Sequence, residues 1–112
     1  MEMLLSDVDG VRKIALSGRL DSAGVDAIET RFSAAVVPTG ANVLVDLSEV
    51  AFLDSLGVRM FISTTRALSW KGAKMVLFGA NAAVMETIET MGFDDIVPVV
   101  TTQTEALALL AE

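Results

Sequence analysis

The tightest constraint on this chain is a pair of short, almost wholly apolar runs, "NVLVDL" at 42–47 and "AKMVLFG" at 73–79, each followed by a stretch of helical period. A strand with one wet face alternates apolar and polar residues; these two do not. Such runs suit strands covered on both faces, the situation of a parallel sheet between helical layers. The helix after the first run is expected over Ser55 to Trp70, with Leu56, Met60, Phe61, Thr64 and Leu68 as its inner face and Lys71-Gly72 as its stop. The helix after the second, "NAAVMETIETMG", has Asn81 as its cap and Gly92 as its stop.

The rest of the chain fits the same scheme. Met3 to Leu5 and Val11 to Leu16 read as strands joined by the hairpin signal Asp9-Gly10. "SDVDG" also hints at a calcium loop, but the twelfth position from Asp7 is Gly18, where such a loop needs a bidentate Glu. After "GRLDSAG", Val25, Ile28, Phe32 and Val36 recur at helical spacing, with Asp21 or Ser22 as cap and Pro38-Thr39-Gly40 as terminator. "DIVPVV" reads as a short strand in which Pro98 marks an edge or an end. Thr102 with Glu105 opens a last amphipathic helix through a capping box. The order β-β-α-β-α-β-α-β-α defines an α/β fold: one domain over residues 1–112, a mainly parallel sheet of about five strands with an antiparallel first strand at its edge, and about four helices.

Composition narrows the chemistry. A hydrophobic share of 53% in 112 residues supports one core. The net charge of −7 argues against a phosphate-neutralising surface and against an anionic membrane, so neither nucleic acid nor membrane insertion is expected. The chain has no Cys and no His, so a zinc-thiolate site, a Ser-His-Asp triad and an imidazole base are all unbuildable. No catalytic residue, metal or cofactor is expected. The acidic start "MEMLLSDVDG" is not a signal peptide, and no apolar run is long enough to span a bilayer. The expectation is a cytoplasmic protein, monomeric or weakly dimeric.

In open α/β sheets partners approach the carboxyl ends of the parallel strands. Three strand-to-helix junctions belong there, "GRLDSAG", "AFLDSLG" and "LFGAN", which together present Asp21, Ser22, Asp54, Ser55, Gly57, Gly79 and Asn81. Acids and hydroxyls at such positions are caps first, worth roughly 0.5–2 kcal/mol each. None of the junctions has the spacing of a phosphate-cradling loop. Ser55 differs because Asp54 already supplies a cap, which makes a second oxygen redundant. Arg59 lies one turn further on the same face, and residues 55–85 hold Arg59, Arg66, Lys71 and Lys74 with no acid. A phosphate on Ser55 would have a cation within reach. Beside Asp54 it would also turn the local surface strongly negative and repel a docked partner.

"VLVDLSEVAFLDSLGVRMF" resembles the central signature of the STAS domain family, in particular its stand-alone anti-sigma factor antagonists. "ALSGRLDSAG" and "KGAKMVLFGANAAVMETIETMGFDDIVPVV" are similar to the family's earlier and later segments, so the likeness runs over nearly the whole chain. It implies an antagonist that binds an anti-sigma factor serine kinase. That kinase phosphorylates the Ser after the Asp, Ser55 here, and a serine phosphatase restores it. It also implies that Asp21 and Asp54 bind the partner, which makes the protein a switch and not an enzyme. The chain departs from the antagonist pattern at Leu56, where Ser or Thr is usual, and at Arg59, where Gly is common. The same fold also serves as a constitutive subunit of lipid-transport ABC systems or signalling assemblies, and as a small-ligand or nucleotide-binding module.

Overall fold

The computed structural model describes residues 1–112. Strands β1 (Glu2–Val8) and β2 (Val11–Leu20) form an antiparallel hairpin. Its two-residue turn has positive φ at both Asp9 (51°) and Gly10 (80°), which the Asp-Gly pair tolerates. Helix α1 (Ser22–Val36) leads to β3 (Val43–Leu53), α2 (Ser55–Trp70) to β4 (Met75–Phe78), and α3 (Ala82–Thr90) through a single 3-10 turn (Phe93–Asp95) to β5 (Val99–Val100) and α4 (Gln103–Leu110). The sheet order is β1-β2-β3-β4-β5, and every pair after the first is parallel. The expected α/β architecture is therefore the observed one.

The strands read as doubly covered are doubly covered. Ile14, Leu16, Val43, Val45, Met75 and Leu77 join one core with Phe32 of α1, Phe61 of α2 and Ile88 of α3. On the opposite face Leu44, Val76 and Phe78 pack under Ala106 and Leu110 of α4. Alternate residues of β4 and of the first half of β3 thus enter opposite cores, so these stretches have no room for a polar stripe. No helix is long and apolar enough to cross a membrane.

Three local readings need correction. β3 runs to Leu53, six residues beyond the "NVLVDL" run read as the strand; β4 ends opposite Asp46, so the second half of β3 is paired with β2 alone and exposes Ser48, Glu49, Ala51 and Phe52. Leu56 is exposed at 36%, not on the inner face of α2; Gly57 and Val58 take the buried positions there. The strand after Pro98 is only two residues long, and the 3-10 turn before it is absent from the sequence pattern.

Candidate functional site

The longest strands, β2 and β3, project together beyond β4 and place two junctions side by side. Leu20 and Leu53 are partners in register, and the Asp54 N–H donates to the Leu20 carbonyl at 3.1 Å. Chain direction then reverses on both strands at once. Asp21 caps α1, its Oδ1 accepting from the Gly24 N–H at 2.9 Å. Asp54 caps α2, its Oδ1 accepting from the N–H groups of Leu56 at 2.9 Å and Gly57 at 3.3 Å.

The two junctions are structural twins, "DSAG" and "DSLG". In each, Asp is the cap, Ser opens the helix exposed, and a buried Gly lies three residues after the cap. The glycines are there because the preceding strand passes against them. A Cβ on Gly24 would run into the Arg19 carbonyl; one on Gly57 would lie 2.5 Å from Leu53 Cδ1 and 3.1 Å from Leu20 Cβ. That close approach pins each helix start to the sheet and fixes where the two serines point. Neither serine hydroxyl has a hydrogen-bond partner within the chain, whereas both aspartates are engaged.

Electrostatics separate the twins. Arg19 Nε donates to Asp21 Oδ2 at 3.3 Å while its guanidinium stacks 4.4 Å from the Phe52 ring centroid. The Gly24 N–H bond, and secondarily Arg19, hold the Asp21 carboxyl below its ordinary pKa. Arg59, exposed one turn past Ser55, makes no ion pair; the salt-bridged cations are Arg12, Lys13 and Arg19. Arg19 and Phe52 escape a sequence reading, because only strand register brings them together (Arg19 pairs with Phe52 across β2 and β3). Phe52 also walls a groove of about 430 Å³ against Ala83, Glu86, Thr87 and Met91 of the α3 end.

Of the expected site residues, Asp21, Ser22, Asp54, Ser55, Gly57 and Arg59 gather around the ends of β2 and β3. Gly79 and Asn81 do not join them. Because β4 is short, the third junction is set back: a Cβ on Gly79 would face Ser48 and Asp46, and Asn81 Nδ2 donates to the Val50 carbonyl at 3.1 Å. Val50 precedes Asp54 by four residues, roughly 13 Å of extended strand. Asn81 does cap α3, its Oδ1 accepting from the Val84 N–H at 2.8 Å.

The ends of β2 and β3 thus carry an exposed pair of capped helix starts side by side. The STAS domain family profile matches residues 3–106, and the chain belongs to that family. The anti-sigma-B factor antagonist of Listeria monocytogenes is 25% identical over 99 residues, 88% of this chain and 86% of the relative. An anti-sigma factor antagonist from Mycobacterium paratuberculosis superposes with a TM-score of 0.89 at 28% identity, covering 99% of this chain and 94% of that one. The Bacillus cell fate determinant SpoIIAA in its phosphorylated form shares the fold with a TM-score of 0.68 at 23% identity, covering 96% and 97%.

Proposed function

We propose that this protein is an anti-sigma factor antagonist. It binds an anti-sigma factor that is also a serine kinase, through the edge built by the Asp21 and Asp54 junctions, and phosphorylation of Ser55 ends the binding. The observation that carries this reading is the division of labour in Asp54-Ser55. The carboxylate is consumed by two backbone N–H groups, and the adjacent hydroxyl is exposed and unbonded. The Listeria and Mycobacterium relatives, named as antagonists, support the role; the phosphorylated Bacillus protein of the same fold supports the switch.

In this reading the chain is a substrate. Ser55 Oγ attacks the γ-phosphorus of ATP held by the kinase, the hydroxyl proton passes to a base of the kinase, and ADP departs. The product carries about −1.5 to −2 extra charges beside Asp54. A partner surface matched to the unmodified edge is then repelled, and a serine phosphatase resets it. A switch of this kind would act in the cytoplasm, where its ATP-using partner works.

The test is incubation with an anti-sigma serine kinase of the same organism and Mg-ATP. One phosphate is expected on the tryptic peptide Phe32–Arg59, none on Leu20–Arg31, which holds Ser22, and none in Ser55→Ala. Ser55→Ala should stay bound to the kinase after ATP is added, and Ser55→Asp should bind weakly from the start. A wild type that no such kinase modifies, and that instead co-purifies with an ABC-type ATPase, would replace the switch with a constitutive scaffold.

A further inference from the structure

The twin junctions act as a built-in control experiment. Ser22 and Ser55 share the capping Asp before them, the buried Gly two residues after them, exposure, and a hydroxyl without a partner. Apart from the Arg19 pairing of Asp21 and the second N–H that Asp54 takes, they differ one turn along the helix, at the position whose side chain shares their face: Asp26 follows Ser22 and Arg59 follows Ser55. Both are exposed and neither is in an ion pair.

Beyond the serine's own amide, the backbone at Ser55 offers a phosphate little. At Ser55 the amides of Leu56 and Gly57 already donate to Asp54, and the Val58 amide is bonded to the Asp54 carbonyl. A phosphate there must find its countercharge on a side chain. The charges on the paired junctions are Asp54 itself and the Asp21–Arg19 pair at the end of the adjacent β2, while Glu86 of α3 lines the groove on the far side of Phe52. Arg19 is committed to Asp21 and to the Phe52 face. Arg59 is the one cation both free and on the right face.

We propose that Arg59 is the residue that holds the phosphate of Ser55 in a bridge one turn long, and that this bridge sets Ser55 apart from its twin Ser22, where Asp26 would repel the same group. The proposal deepens the phosphoswitch reading and rests on it. Its consequence is that phosphorylation changes the docking edge twice: it adds negative charge, and it withdraws the only unpaired cation near the junction from any partner carboxylate.

The test needs no kinase. Phosphoserine is installed during translation at position 55 or, separately, at 22, and the second phosphate pKa, ordinarily about 6, is read by 31P NMR. Phosphoserine 55 should titrate below phosphoserine 22. Arg59→Ala should raise the value at 55 by on the order of half a pH unit, the size of an exposed pair at contact distance, and Arg59→Lys should recover part of the shift. Arg59 is exposed, so the variants are expected to fold, which the dispersion of their amide spectra checks. Equal titration of the two sites, or no response to Arg59→Ala, overturns the bridge. So does a phosphate that takes over the helix cap, which would make Asp54→Ala harmless in the phosphorylated protein while it remains costly in the unmodified one. The two readings fail separately: a wild type that no kinase modifies sinks the switch, and a flat Arg59→Ala titration sinks only the bridge.

Discussion

Asp21 shows how much one side chain at this edge is asked to do. It caps α1 through the Gly24 N–H and anchors Arg19, whose guanidinium stacks on Phe52. Both contacts favour the carboxylate, and its pKa is lowered, first by the Gly24 bond. The sign of the consequence follows from linkage. A carboxyl that is more acidic in the folded state stabilises the fold above its unfolded value, near 3.9, and loses that contribution as pH falls through the folded value. Asp21→Asn keeps a capping oxygen but has no charge to lose. The wild type is therefore expected to be more stable than Asp21→Asn at neutral pH, with the two urea midpoints converging as the pH drops below about 4. A gap of constant size across that range would mean that the charge of Asp21 adds nothing to its hydrogen bond.

At the scale of the element, α2 was legible in sequence because its signals are local. The Asp54 cap, the apolar period and the Gly72 stop (φ 75°) all lie between the N-cap and the residue after the C-cap. The misplacement of Leu56 has a physical reason: the buried line is Gly57, Phe61, Thr64, Leu68, and it begins with a residue that carries no hydrophobic signature. Gly57 is buried because the sheet needs the space, which no periodicity records. The far half of β3 was illegible for the opposite reason, since its exposure is decided by where β4 stops. Asp54 fixes the start of α2 with two N–H bonds. Asp54→Ala should then cost about 1 kcal/mol, and Asp54→Asn much less. For a domain near 100 residues that is a fall in Tm of roughly 4–8 °C, read by circular dichroism. If Asp54→Ala melts with the wild type, the cap is not what holds this helix start, and the division of labour between Asp54 and Ser55 loses its basis.

Across the whole molecule the edge that carries the twin junctions depends on a core that lies far from it in sequence. The fold class was readable because apolar runs and helical periods alternate along the chain. The site was readable only in part, because the meeting of Arg19 with Phe52 and the setback of Asn81 are set by register and strand length. Three buried rings join the pieces: Phe61 of α2 meets Phe32 of α1 edge-on at 5.7 Å and stacks with Phe93 of the 3-10 turn at 6.0 Å. Phe61 is thus the shared contact of the two helices whose starts form the edge and of the turn that follows α3. Phe61→Ala removes both aromatic contacts and leaves a cavity, a loss of about 3–5 kcal/mol. Against a typical total of about 5–15 kcal/mol, that brings the domain close to its unfolding limit. Trp70, the only tryptophan, is 91% exposed, so its fluorescence is a poor reporter of this core, and the loss should be followed by far-UV circular dichroism in urea. Phe61→Leu, which keeps most of the volume, should lie well inside that cost. If Phe61→Ala costs no more than Phe61→Leu, the helices flanking the edge are held by the sheet alone, and the aromatic cluster has no part in keeping the twin junctions side by side.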